Sequence, residues 1–224
     1  IFALQFLAHG AGVDNEPGIF VAFEEAPRRI LSNVATFGWN LADLQDEKLY
    51  FVDAQPPLDL IQSGTFDLGG MLAGLGAKVA QMGARRIVFD ALDMVLALLP
   101  DAATRRREIY RLHDWLIRHE LTGLLTAKCG DEGPLGDQPF GFMQFMVDCS
   151  VILNHRVSHG VSQRSLRVQK YRGSSFDEYE SPFVIGKRGF DVAVSRILGR
   201  VDVAVTAERV SSGVGRLDTM LGGG

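Results

Sequence analysis

The sequence predicts an α/β fold, in which a mostly parallel sheet carries helices on both faces and ends in an antiparallel hairpin extension. Three observations favour this fold. Short apolar runs alternate with segments whose apolar residues recur at helical spacing. These runs are uninterrupted, as is typical of strands buried on both faces of a parallel sheet. In the last third of the chain, strand patterns instead follow one another directly across turn residues.

Two strand–helix alternations come first. Residues 18–23 (GIFVAF) form an apolar run rich in β-forming residues. Residues 27–39 open with a proline and repeat apolar residues at helical spacing, which predicts a helix. Residues 48–54 predict the next strand. A loop marked by proline and glycine over residues 55–65 then leads to a predicted helix over residues 67–83.

Two further strands are predicted on either side of the clearest amphipathic helix. Residues 84–92 (ARRIVFDAL) predict a strand that carries an acid near its end. Residues 101–120 predict a helix because their apolar side chains form one stripe. Residues 121–127 predict a buried strand, and residues 128–141 predict a long polar loop.

The C-terminal part of the chain has a different pattern of predicted elements. Residues 149–173 predict two strands joined by a central turn, and residues 182–192 predict a short hairpin. Beyond these hairpins the pattern weakens into a linker. We therefore expect one domain over residues 1–194, followed by a separate segment over residues 195–224.

Composition narrows the class of function. The 224 residues carry a formal net charge of −4, so a broad nucleic-acid-binding surface is not expected. No apolar run reaches the roughly 18 residues that span a bilayer, so no membrane segment is expected. Cys129 and Cys149 lack the C-x-x-C spacing. This argues against a zinc site and favours a reducing compartment, with the cytoplasm as the default.

An acid, Asp90, closes the apolar run RRIVFD. Ligands of parallel α/β sheets bind outside the carboxyl ends of the strands. An acid in this place has the pattern of a Walker-B aspartate, which holds Mg²⁺ through water. The alternative is an ordinary helix N-cap or turn residue.

Two adjacent acids, Glu24 and Glu25, follow another apolar run. Neighbouring residues of an extended strand point in opposite directions, so the two carboxylates cannot face the same way. One could polarise an attacking water while the other supports that water or a metal. The alternative is a solvated strand end, or acids that the helix dipole favours ahead of Pro27.

Cations form the third candidate group. Lys170 and Arg172 are two residues apart in a predicted strand, so both project from one face. Gly173 then bends the chain, and hydroxyl residues follow. Such a group suits a phosphate, although an exposed sheet face with ordinary charges is the alternative. Lys128, just after a predicted strand, is either a phosphate contact or a surface lysine.

Several segments together resemble one family. They are PGIFVAFEEAPRRILSNVATFGW, RRIVFDALDMVLAL, FMVDCSVIL, KYRGSSFDEYESPFVI and ERVSSGVGRLDTMLGGG. In this order they resemble the RecA-like ATPase domain of the KaiC circadian-clock family, over nearly the whole chain. The resemblance implies two tandem RecA-like domains, a homohexameric double ring, and ATP with Mg²⁺ between neighbouring subunits. It also makes clock or signalling proteins candidate partners.

The resemblance assigns roles to the acids. Glu24 and Glu25 match the paired catalytic glutamates that activate the hydrolytic water. Asp90 matches the Walker-B acid, and therefore the metal position.

The resemblance also assigns nucleotide binding to a run of cations and their neighbours. The run matches the family's K-x-R-G motif and the hydroxyl after it: Lys170, Tyr171, Arg172, Gly173 and Ser174. These cations would reach across the subunit interface to the neighbour's phosphates. Tyr171 replaces a common leucine. Phe176 stands where the family's prototype has a histidine, so that one interface contact is not expected.

The chain departs from the family in one respect. No G-x-x-x-x-G-K-[S/T] motif occurs in these residues, although this P-loop holds the β- and γ-phosphates. LQFLAHG resembles the helix that follows a P-loop, and the glycine-ended last segment resembles the lead-in to a second domain. We therefore expect residues 1–194 to be an ATPase domain truncated at its N-terminus. Residues 195–224 would be a linker and lead-in, and these residues alone should bind ATP poorly.

Two other classes of function stay open. The chain could be a signalling or scaffold module whose nucleotide site has lapsed. It could also belong to a RecA-like DNA recombinase or helicase. The acidic balance and the lack of a basic DNA-binding loop weigh against this last reading, so nucleic acid is an unlikely partner.

Overall fold

The computed structural model describes residues 1–45, 47–57, 68–128, 141–193, 211–220 and 222. Cys129, nearly all of the predicted polar loop and most of the predicted linker lie outside these residues. The chain divides into two compact units, Ile1–Ala193 and Val194–Gly224.

A four-stranded parallel sheet forms the centre of the first unit. Its strands are β1 Gly18–Ala22, β2 Leu49–Asp53, β3 Arg86–Asp90 and β4 Thr122–Leu125. Their order is β2-β1-β3-β4. Ala22 pairs in register with Asp53 on one side and with Asp90 on the other. The carboxyl ends of the strands therefore meet at one edge, where the predicted acids follow.

Helices cover both faces of this sheet. They are α1 Phe2–His9, α2 Pro27–Val34, α3 Leu41–Leu44, α4 Leu68–Met82, α5 Leu92–Leu96 and α6 Ala102–Arg118. Ile19 and Val21 of β1 pack with α4, α5 and α6, whereas Phe20 and Ala22 pack with α1, α2 and α3. All four side chains are buried, which is why the strand reads as an uninterrupted apolar run.

Three element boundaries differ from the sequence-based expectation. The helix predicted over residues 27–39 ends at Val34, and a 3₁₀ turn with Gly38 at φ 71° follows. The strand predicted over residues 84–92 ends at Asp90 because Ala91 takes φ 58°, and α5 begins at once. The helix predicted over residues 101–120 is α6, capped by Asp101, whose side chain accepts from the Thr104 N–H.

The second sheet is antiparallel. It consists of β5 Cys149–Ser158, β6 Val161–Tyr171, β7 Ser181–Gly186 and β8 Gly189–Val192, in chain order. His159 and Gly160, both at positive φ, form the turn between β5 and β6. The α/β fold with a RecA-like parallel sheet is confirmed. The antiparallel extension forms a sheet of its own beside the parallel one.

The β7–β8 hairpin is tied to the first helix. The Gln5 side chain donates to the Phe190 carbonyl over 3.0 Å and accepts from the Phe190 N–H over 2.7 Å. Trp39 Nε1 donates to the Arg188 carbonyl over 3.1 Å. Gly189, at φ 103°, leaves no room for a Cβ against Trp39 and Gln5. The second sheet is thus anchored to the helical layer of the first.

In the second unit, one short helix is described, α7 Gly215–Met220. Asp218 accepts hydrogen bonds from Ser211 and Ser212, which lower the pKa of its carboxyl group. Within the described parts of the chain, no helix is both long and apolar enough to cross a bilayer.

Candidate functional site

The carboxyl edge of the parallel sheet brings two of the predicted acidic segments together. β1 and β3 are neighbours, and the Phe23 N–H donates to the Asp90 carbonyl over 3.3 Å. Glu24 and Glu25 follow Phe23 directly. The two acidic strand ends are therefore adjacent, which is the arrangement that a ligand site at this edge requires.

A cavity of about 240 Å³ lies against this edge, and Glu25, Asp90 and Asn33 line it. The rest of its wall is mostly apolar: Ile1, Ala3, Leu4, Phe20, Ile30 and Val34. An apolar pocket with a few convergent polar groups is the usual form of a ligand site.

Asp90 is oriented by Thr126, the residue that directly follows the neighbouring strand β4. Its Oδ1 accepts from the Thr126 hydroxyl over 2.7 Å, and that hydroxyl accepts from the Ala91 N–H over 2.8 Å. Ala91, and not Asp90, is the N-cap of α5, so the helix-cap alternative is not observed. Sequence reasoning missed Thr126. The available signal was a hydroxyl at the end of the strand that neighbours β3.

Glu25 is held by the helix that follows it. Its Oε1 accepts from Arg29 Nε over 2.8 Å and from Asn33 Nδ2 over 3.2 Å. Arg29 and Asn33 lie one and two helical turns along, on the face of α2 that Glu25 can reach. These contacts keep the Glu25 carboxylate on the side of the Asp90 cavity. Asn33 is a second site residue that the sequence reading did not single out.

Glu24 makes different contacts. Its Oε1 accepts from Lys128 Nζ over 2.7 Å, and its backbone carbonyl accepts from Gln55 Nε2 over 2.8 Å. Lys128 follows β4, and its own N–H donates to Asp93 Oδ1 over 3.2 Å. The hydrogen bond and charge of Glu24, with a smaller contribution from Asp93, raise the pKa of the lysine. The two glutamates thus have separate cationic partners. Both lie in the bend after β1, which ends at Ala22, so strand alternation is not the reason for their different directions.

The predicted cations occupy another place. Lys170 Nζ donates to the Gln144 carbonyl over 2.8 Å, and Arg172 Nη2 donates to the Phe145 carbonyl over 3.1 Å. Both carbonyls belong to one 3₁₀ turn, Gly141–Phe145. The two cations therefore contact the same turn, although Arg172 lies just beyond β6, outside the strand in which the spacing argument placed it. In the described part of the chain, no hydrogen bond or ion pair joins either of them to the acidic edge.

The residues around these cations are exposed. Tyr171 is 46% exposed. Gly173 takes φ 108°, where a side chain would strain the backbone. The exposed Ser174 hydroxyl donates to the Ser175 carbonyl over 3.2 Å. Arg172 also pairs with Asp148, with Nη1 and Oδ1 3.5 Å apart. The run of residues 170–174 thus lies at the end of β6 and in the exposed bend after it.

Asp90 is the residue of the acidic edge that could contribute to a metal site. Among the residues that the structure describes, no three acidic, histidine or cysteine side chains converge as a complete metal cage. Mg²⁺ usually binds through one or two carboxylates and completes its shell with water and phosphate oxygens. Asp90, with one carboxylate oxygen fixed by Thr126, is a donor of this kind.

The chain matches known proteins over its whole length. A family model described as "ATPase: KaiC" matches residues 1–196. The circadian clock protein KaiC2 of Synechocystis sp. is 34% identical over 227 residues, which are 100% of this chain and 39% of that protein. The circadian clock oscillator protein KaiC of Parasynechococcus marenigrum is 36% identical over 100% of this chain and 44% of its own. The circadian clock oscillator protein KaiC of Thermostichus vulcanus is 37% identical over 100% of this chain and 43% of its own.

The chain therefore spans about two fifths of the length of these curated relatives. The family match and the full coverage of this chain agree with the fold and with the order of its motifs. This chain belongs to the KaiC family of ATPase domains.

Proposed function

We propose that this chain is the core of a KaiC-type domain that binds ATP with Mg²⁺ and hydrolyses it at the interface between subunits of a ring. One observation carries the proposal: Glu25 and Asp90 line the same cavity, and Glu24 lies beside them at the same sheet edge. A base for water next to a Walker-type acid is the arrangement that phosphoryl transfer requires.

The position of α1 supports the same reading. Ile1, directly before α1, lines the cavity with Glu25 and Asp90. In the family, the P-loop precedes the helix that α1 matches. Phosphates held by a loop ahead of Ile1 would lie against the two acids. The nucleotide would thus be bound between the helix start and the carboxyl edge of the sheet, where backbone amides favour anions.

The chemistry follows from the residues at this edge. A carboxylate of the Glu24–Glu25 pair accepts a proton from water while the water oxygen forms its bond to the γ-phosphorus. The bond from that phosphorus to the β–γ bridging oxygen breaks, and its electron pair leaves with ADP. Asp90, aimed by Thr126, would hold Mg²⁺ through water. The bound ion would neutralise charge on the phosphates.

The cations complete the site from a second subunit. Lys170 and Arg172 contact carbonyls of the 3₁₀ turn, and Arg172 also pairs with Asp148. Among the described residues, neither cation bonds Glu24, Glu25 or Asp90 of its own chain. We propose that in a homohexameric ring they meet the phosphates on the neighbour, where Arg and Lys stabilise the developing charge. Clock or signalling proteins would then be the partners that respond to the nucleotide state of the ring.

The test is ATP turnover by the full-length gene product. Glu24→Gln combined with Glu25→Gln should lower phosphate release by at least about 100-fold, the usual contribution of a general base. ATP binding and ATP-dependent assembly, measured by equilibrium binding and size-exclusion chromatography, should persist. Turnover that survives the double change would show that the pair has another role. A full-length protein that binds no ATP would favour a scaffold function instead.

A further inference from the structure

We infer that Lys128 is a positioning residue for hydrolysis: its ammonium group fixes the carboxylate of Glu24 where that group meets the attacking water. The inference deepens the proposed ATPase function and rests on it. Lys128 Nζ and Glu24 Oε1 are 2.7 Å apart, although 104 residues separate them in the chain.

The base of Lys128 is fixed by buried neighbours. Its N–H donates to Oδ1 of Asp93, which is 8% exposed. The Leu92 N–H donates to the Thr126 carbonyl over 2.9 Å, which ties the start of α5 to the end of β4. The point from which the lysine side chain extends is thus part of the rigid sheet edge.

Glu24 is held from the opposite side. Gln55, just beyond β2, donates to its carbonyl over 2.8 Å. Glu24 follows β1 and Lys128 follows β4, while β3, which carries Asp90, lies between these strands. The ion pair therefore crosses the end of the Asp90 strand. It links the strand ends on the two sides of Asp90.

The charges around the pair divide the roles of the two glutamates. Arg29 and Asn33 bond Glu25, whereas Lys128 bonds Glu24. The side chains of Lys128 and Glu24 are 69% and 47% exposed. Such an open pair contributes little to folding. Its role is geometric, because small displacements of a reacting group lower the rate strongly.

The alternative is that Lys128 binds a phosphate of ATP directly. The two roles separate in the kinetics. A residue that acts through Glu24 changes kcat, whereas a residue that holds substrate and transition state equally changes KM. The Glu24→Gln variant also distinguishes the two roles. In this variant, a residue that acts only through Glu24 has no carboxylate left to position, so its substitution should have no further effect.

The experiment measures steady-state ATP hydrolysis by the full-length gene product. Lys128→Met should lower kcat by about three- to tenfold at unchanged KM, less than the loss expected for the base itself. Lys128→Arg should restore kcat to within about twofold, since the guanidinium also pairs with a carboxylate. Lys187→Met, which removes an exposed lysine from the β7–β8 turn, is the matched control and should leave both constants unchanged.

The second arm uses Glu24→Gln, whose residual rate is followed by single turnover. Adding Lys128→Met should not lower it further. The inference is overturned if Lys128→Met raises KM alone, has no effect, or costs the same factor in the Glu24→Gln background. Failure of the unsubstituted protein to hydrolyse ATP would overturn the proposed function, and this role with it. Turnover that is intact but indifferent to Lys128 would overturn this role alone.

Discussion

The two sheets of the first unit place their charges in opposite surroundings. Every residue of β1 is buried, and Glu24 and Glu25 follow it after Phe23. Asp90 is the last residue of β3, whose three central residues are buried. β6 has no fully buried residue. Among the described residues, Lys170 near its end and Arg172 just beyond it bond backbone carbonyls, and Arg172 also pairs with Asp148. The parallel sheet thus fixes its acids from within, while the antiparallel sheet presents its cations outward. This division is what a site shared between two copies of the chain needs.

The largest contrast should appear in stability. Phe89 on β3 is 0% exposed, stacks on Phe23 and meets Trp115 edge-on. Phe89→Ala should lower the free energy of unfolding by about 3–5 kcal/mol through lost burial and a cavity. Val157 on β5 is 69% exposed, and Val157→Ala should change it by less than about 0.5 kcal/mol. Denaturant unfolding of both variants tests this. Equal losses would mean that the two sheets contribute alike.

The next largest effect should be on catalysis at the carboxyl edge of the parallel sheet. Asp90→Asn keeps the shape of the side chain and its bond to Thr126 but removes the charge. Turnover of the full-length protein should fall on the order of 100-fold, as for loss of one preorganised electrostatic group. Asp191→Asn, which changes an exposed residue of β8, is the control and should change little. A loss of turnover of similar size in both variants would show that the change in net charge causes the effect, and not the loss of the site carboxylate.

The division between the sheets predicts complementation. Arg172→Ala alone should lower turnover by about tenfold or more, without loss of stability, because its side chain is largely exposed. Mixing it with the Glu24→Gln, Glu25→Gln protein should restore up to about a quarter of the wild-type rate, since about a quarter of random interfaces are then intact. A mixture no more active than the sum of its two components would place cations and acids in the same subunit.

The smallest effect concerns the helix layer over the parallel sheet. The Thr104 N–H and hydroxyl donate to Asp101 and lower the pKa of that carboxyl group. A lowered pKa stabilises the fold above the unfolded-state value near 4 and loses this contribution as the pH falls through the folded value. Asp101→Ala should lower the melting midpoint by about 2–4 °C at pH 7.

The matching measurement is a series of melting curves between pH 7 and pH 2.5. The difference between the wild-type and Asp101→Ala proteins should shrink below about pH 4. Asp101→Asn, which keeps a capping oxygen without the charge, should lie between the two at neutral pH. A difference that stays constant across this range would show that the cap does not depend on ionisation.

Local patterns predicted most of the fold, because they record which faces are buried. The runs IFVA and IVF identify strands that are covered on both sides. The same logic could not find α5, because five residues are too few for a helical period to appear, or the separate second sheet, because pairing between distant strands leaves no local trace. The expectation that strand alternation separates Glu24 from Glu25 does not apply, because both residues lie in the bend after β1.

The partners of those acids were not predictable in the same way. Thr126 reaches Asp90, and Lys128 reaches Glu24, only because β4 lies next to β3 in the sheet. The order β2-β1-β3-β4 is a property of the whole chain. A lysine after a strand is by itself an ordinary surface residue. Lys128 becomes a candidate for a role in hydrolysis because it contacts Glu24 across the end of β3.

The contact between Gln5 and β8 has a consequence for self-association. β8 is the last strand of its sheet, and Phe190 turns its N–H and carbonyl away from β7. The Gln5 amide bonds both groups, as the backbone of an added strand would. A strand of another molecule therefore cannot pair with these two groups, and helix α1 protects this strand edge against edge-to-edge aggregation. A protein that assembles through other surfaces benefits when this edge is closed.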